Sequence, residues 1–180
     1  QLVRSRDADG VQILYQYNGL GEREYTVIDM NRNNVIDFAG TDRITRHVRS
    51  VTNAHGANVI REEVYQWANN NVNSSRKVST TDTRTDGLVS WQIIWNGSAS
   101  VTNKIETEYP SSGSISRRET ETRPDGTKLI REYESGRLVR VIKKGTDNEI
   151  LVQKSYGYDN FGRQNTVTDL RNGTSTTVYD

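Results

Sequence analysis

YDNFGRQNTVTDLRNGTSTTVYD, Tyr158 to Asp180, opens and closes on Tyr-Asp. Inside it, Gly162-Arg163 leads into the alternating run RQNTVTDL, and Asn172-Gly173 separates that run from TSTTVYD. Asn-Gly between two alternating stretches is a strong hairpin signal, because both central residues of a type I′ turn need positive φ. The stretch therefore predicts turn, strand, turn, strand, and then a second Tyr-Asp where the pattern could begin again.

Moving outward, the same form recurs. Tyr133 is followed by Gly136-Arg137, Tyr109 by Gly113 and Tyr17 by Gly21. Tyr109, Tyr133, Tyr158 and Tyr179 fall 24, 25 and 21 residues apart, and each interval holds two strands and a second turn. A period of this size marks an array of one supersecondary unit, here a β-hairpin. Asp86-Gly87, Asn96-Gly97, Asp125-Gly126 and Ser135-Gly136 separate further runs of about eight to twelve residues. Arg123-Pro124-Asp125-Gly126 reads as a turn. No segment offers three capped helical turns. The expected fold is all-β: tandem hairpins in one long, curved antiparallel meander, a single array over residues 1–180 that is degenerate in 1–108 and clearer in 109–180.

Composition is compatible with this and narrows the function. Hydrophobic residues make up only 32% of the chain and charged residues 26%, yet net charge is +1 and there are only 2 prolines. Balanced charge and abundant Val, Ile, Thr and Tyr favour strands over disorder. So small a net charge gives no field to draw nucleic acid. No apolar run reaches the ~18 residues of a membrane span, and no Cys is present for a disulfide or thiolate metal site. The chain starts at Gln1, so it is expected to be a mature product or an excised piece of a larger protein.

The predicted faces are unusual for a sandwich. In RLVRVIKK, strict alternation puts Leu138 and Ile142 on one face and Val139 and Val141 on the other. In SISRRETETR, Arg117, Glu119, Glu121 and Arg123 share a face as a charge ladder. Such strands cannot build a two-layer core, so cross-strand pairs worth about 0.2–1 kcal/mol each must hold the sheet. Open edges are expected near residues 11–18 and 174–180, and edge-to-edge association between copies follows from them. The competing expectation is that residues 29–42 cover an edge.

The Tyr-Asp-x-x-Gly-Arg motif, with Tyr158, Asp159, Gly162, Arg163, Tyr179 and Asp180 as its clearest instance, resembles the YD repeat of the Rhs family. Tyr133, Gly136 and Arg137, then Tyr109 and Gly113, then Tyr17 and Gly21 carry it with decreasing fidelity, and residues 43–108 hardly at all. The resemblance implies a segment of a secreted or cell-surface protein in which such repeats wind into a hollow β-shell around a C-terminal effector. Its partners would be neighbouring repeats and that effector. The family's self-cleaving core is not in this sequence.

Three further groups carry chemistry on paper. Asp29, Asn31, Asn33 and Asp37 hold positions 1, 3, 5 and 9 of a calcium loop, with Asn34 at the sharp turn, but Gly40 stands where the bidentate acid belongs and Asp42 lies two further on. The alternative is a polar loop of turn formers. Trp67, Trp91 and Trp95 read either as an aromatic platform for glycans or as a local apolar patch. His47 and His55 lack a thiol to complete a zinc site and read as exposed side chains near a turn. No constellation of nucleophile, base and orienting acid appears, so no enzymatic activity and no cofactor beyond calcium are expected.

Overall fold

A computed structural model of the chain describes residues 1–67 and 70–179. It contains fourteen strands and, among the described residues, no helix. In chain order they are β1 (Arg4–Arg6), β2 (Gln12–Tyr17), β3 (Arg23–Asp29), β4 (Arg43–Ala54), β5 (Ala57–Trp67), β6 (Arg76–Arg84) and β7 (Val89–Asn96). They continue with β8 (Ala99–Glu108), β9 (Arg117–Thr122), β10 (Lys128–Glu134), β11 (Arg137–Lys144), β12 (Ile150–Tyr158), β13 (Gln164–Asp169) and β14 (Gly173–Thr176). Each strand is hydrogen-bonded to its neighbours in sequence, so the order across the sheet is the order along the chain. The expected meander of antiparallel hairpins is what the chain forms.

The chain divides into two compact units, one of residues 1–85 and 92–101, the other built from 86–91 and the strands beyond Thr102. The N-terminal unit has a small apolar core. Register puts Leu14 opposite Val27, Val27 opposite Ile44, and Ile44 opposite Trp67, one row across β2 to β5. Leu14, Val27 and Ile44 are buried, and Tyr25, Ile36, Phe38 and Trp67 pack against them. Ile36 and Phe38 come from the connection between β3 and β4. That segment therefore covers a sheet face, not an edge. The N-terminal edge strand is β1, whose Arg-Ser-Arg sequence gives no alternation to read, and β14 stops at Thr176.

The turns explain the repeat. Residues 7–11, 18–22, 123–127, 145–149 and 159–163 all form one five-residue motif, in which the first N–H donates to the fifth carbonyl and the fourth N–H to the first carbonyl. The fourth residue is Gly10, Gly21, Gly126, Asn148 or Gly162, with φ between 67° and 82°. That conformation suits Gly and is tolerated by Asn. The motif has the form of the three-residue hairpin loop, a type I turn closed by a left-handed residue. Type I′ turns also occur, at Ser135-Gly136 and His55-Gly56, where both residues have positive φ. Asn172-Gly173 is not one of them: Asp169 pairs with Gly173 across a three-residue loop, and only Gly173 has positive φ.

Strand faces differ from strict alternation because of bulges. Tyr133 pairs with Leu138 but Glu132 pairs with Arg140, so Val139 is an extra residue. Leu138 and Ile142 consequently lie on opposite faces, which corrects the reading of RLVRVIKK. Glu24, Val78, Leu151 and Asn165 are skipped in the same way, each near the start of its strand.

Candidate functional site

The repeat motif turns out to be a physical lock. Arg117 lies over the Tyr133 ring at 4.0 Å, Arg137 over Tyr158 at 5.6 Å and Arg163 over Tyr179 at 4.5 Å. Each arginine is at or next to the start of one strand and each ring close to the end of the next, so every lock joins one repeat to its successor. The Tyr158 hydroxyl donates to the Leu138 carbonyl at 2.7 Å and the Tyr179 hydroxyl to the Gln164 carbonyl at 2.6 Å. In both cases the acceptor is the residue after the stacking arginine. Tyr17 donates likewise to Leu2 at 2.7 Å, with Gln1 in the arginine's place and its amide on the Gly21 carbonyl. Tyr133 differs: its hydroxyl donates to Glu119 at 3.1 Å, and burial together with that carboxylate raises its pKa. Tyr109 stands outside the series, 63% exposed beyond the end of β8.

The Asp of Tyr-Asp organises the turn. Asp159 accepts the N–H groups of Phe161 and Arg163 through Oδ1 and the Arg163 guanidinium through Oδ2. Burial pushes its carboxyl up, but Arg163 and the two N–H groups outweigh that and hold it below the usual range. Asn18 replaces it in the Tyr17 repeat, accepting from Leu20 and Glu22. Gly162 has a second role beyond its φ, because a Cβ there would meet the Arg137 guanidinium. The motif residues Tyr17, Gly21, Tyr133, Gly136, Arg137, Tyr158, Asp159, Gly162, Arg163 and Tyr179 thus act in turns and locks. Gly113 takes a positive φ of 87°, and Asp180 lies outside the described residues.

The 29–42 segment is closed on itself. Asp29, 2% exposed, accepts the N–H groups of Asn33 and Asn34, while Asp42, 4% exposed, accepts those of Met30 and Asp37. Asn31 accepts from Asn33, Asn33 from Val35 and Asp37 from Ala39, and Asn34 is left-handed. Among the described residues no group of three or more His, Cys, Asp or Glu is placed to hold a metal. The visible work of these carboxylates is to fix the loop that carries Ile36 and Phe38.

Each tryptophan has neighbours of its own. Trp67 packs at 5.3 Å from Phe38 and 6.1 Å from Tyr25. Trp95 donates to the Thr80 hydroxyl at 3.0 Å with Lys77 over its ring, and Trp91 has Lys104 over its ring.

Two charged clusters escape sequence reading. Asp82, fully buried, accepts from Arg61 Nε and Nη2 at 2.7 Å each and meets the His55 Nε2 at 2.8 Å. The Arg61 hydrogen bonds hold its carboxyl below the usual range, with burial opposing and His55 assisting. His55 is thus engaged with a buried acid. Glu132, 5% exposed, sits between Arg118 at 2.8 Å and Arg140 at 3.2 Å, its register partners on β9 and β11. Only cross-strand register brings these residues together, and their sequence separations carry no motif.

A comparison of the chain with protein-family models finds no match, and a comparison with curated proteins finds none either.

Proposed function

We propose that the chain is a structural segment of a secreted or cell-surface protein of the Rhs or YD-repeat kind, a stretch of β-shell wall that encloses or displays an effector domain. Its work is mechanical and not catalytic. The observation that carries this reading is the lock of arginine on the next repeat's tyrosine, at three successive repeat junctions. A binding module needs convergent side chains at one place. Here the motif residues are spent on joining each hairpin to the following one, as in arrays where every unit contacts mainly its neighbour. The strands they join are also polar enough to meet water on a face, which suits a wall.

Cryo-electron microscopy of the whole polypeptide that carries this sequence tests the proposal. The expected image is a sheet of hairpins continuing beyond both ends of the segment and enclosing density for another domain. A free-standing module, or a glycan-array signal abolished by Trp91→Ala and Trp95→Ala, would overturn it in favour of an adhesin.

A further inference from the structure

A groove of about 380 Å³ lies on the face of β9 to β11 within the C-terminal unit, lined by Thr120, Ile130, Ile142 and charged side chains around them. At one end Lys128 and Lys144 are direct cross-strand partners on β10 and β11. Like charges directly opposite each other on one face destabilise a sheet. Several other cations of this unit are ion-paired: Arg118 with Glu108 and Glu132, Arg140 with Glu132, Arg123 and Arg131 with Glu121, Lys154 with Asp169. Among the described residues neither Lys128 nor Lys144 has an ion pair. Lys128 Nζ donates only to Asn148 Oδ1 at 3.2 Å. The nearby acids of the 145–149 turn are directed elsewhere, Asp147 accepting the Glu149 N–H and the Glu149 carboxylate lying against Gly145.

The far end of the groove is set by an acid. Glu132 lines it, is almost wholly buried, and its Oε2 has no hydrogen bond, only the Arg140 ion pair. Among the residues lining the groove, the two cations without an ion pair are both at the lysine end, with an apolar floor of Ile130 and Ile142 leading to the Glu132 carboxylate at the other. β10 has both backbone edges paired, to β9 and to β11, so an extended peptide would find no main-chain partners.

The geometry points to Lys128 and Lys144, with Asn148 beside them, as a binding site for a dianionic phosphoryl group. Two ammonium groups balance two negative charges, and lysine serves phosphate as a point charge. A phosphomonoester carries close to two charges above its second pKa of about 6, and its organic part would lie along Ile130 and Ile142. The inference is independent of the wall proposal, since either can fail alone.

Thermal unfolding at pH 8 and constant ionic strength provides the test, with chloride, inorganic phosphate and phenyl phosphate compared for the full chain. Binding to the native state raises the midpoint with ligand concentration. The expected order is phenyl phosphate above phosphate above chloride. Lys144→Gln should be more stable than the parent in phosphate-free, low-salt buffer, because a repulsion is removed. Its apparent phosphate affinity should fall about tenfold or more, the equivalent of one hydrogen bond to a charged group. Lys128→Gln should behave alike, which guards against a folding defect in one variant. Co-sedimentation with phosphatidate vesicles distinguishes a lipid headgroup from a free phosphoryl ligand; either source, lost in both variants, supports the site. A midpoint unmoved by phosphate together with no vesicle binding, a response unchanged in both variants, or equal binding to monoanionic phosphatidylglycerol overturns it.

Discussion

The two units solve the same problem, an apolar-poor sheet, by different means. The N-terminal unit gathers four large apolar residues into one row, Leu14, Val27, Ile44 and Trp67, and lays Ile36 and Phe38 over them. The C-terminal unit distributes its stabilisation: Glu108, Arg118, Glu132 and Arg140 alternate in charge across β8 to β11, and arginine–tyrosine locks close successive repeats. A shared core makes several strands depend on one side chain. Paired contacts between neighbours keep each dependence local.

The hardest blow to this contrast should come from Ile44→Ala. Removing a buried aliphatic side chain of this size costs about 2–5 kcal/mol, and Ile44 is 2% exposed. Hydrogen exchange should rise together across β2 to β5 while β10 to β14 keep their protection. Exchange rising equally in both units would dissolve the comparison.

Glu132→Ala comes next. It leaves Arg118 and Arg140 without their shared acid, and removal of one member of a buried ion pair costs about 3–5 kcal/mol. Both arginines are more than a third solvent-exposed, so screening lowers the expected loss to about 1–3 kcal/mol. Urea unfolding should show the loss, with β9 to β11 exchanging first.

Acid sharpens the contrast differently. Asp82 and Asp159 are both held below the usual carboxylate range, Asp82 by Arg61 and Asp159 by Arg163 against its partial burial. A depressed native pKa contributes stability that is complete above the unfolded value of about 3.9 and vanishes as pH falls through the native one. Both contributions should therefore persist at neutral pH and fade below about pH 4. In Asp82→Asn, circular dichroism should show an N-terminal unit already weakened at pH 7 and less sensitive to further acid.

The smallest effect belongs to Tyr179→Phe. Losing the hydroxyl's bond to the Gln164 carbonyl removes about 0.5–1.5 kcal/mol, and Arg163 keeps its ring. Amide exchange should quicken in β13 and β14 alone.

Much of the architecture was legible. Turn chemistry at Tyr158 to Arg163 and at Ser135-Gly136 is local, and local signals survive into the structure. What stayed hidden depends on register. Nothing near Glu132 announces Arg118 and Arg140, because partners are set by turn length and by a skipped Val139. His55 is exposed at a turn, as read, but the His55-Gly56 turn and the pairing of Arg61 with Asp82 also bring its Nε2 to a buried carboxylate. The 29–42 segment read as polar because its turn formers outnumber Ile36 and Phe38, the two residues that make it a cover. The apolar row itself was missed because its members are single residues contributed by four different strands.

The skipped residues have a consequence for how this chain can vary. In a plain strand, inserting one residue inverts every side chain that follows. Here Glu24, Val78, Val139, Leu151 and Asn165 each stand out of step just after a turn. Each hairpin thereby re-establishes its own parity, and miscounts are not handed on to the next. Tyr133, Tyr158 and Tyr179, spaced by 25 and 21 residues, each meet an arginine in the preceding repeat despite the unequal spacing. Such a chain can gain or lose single residues at its loops over generations and still close every junction.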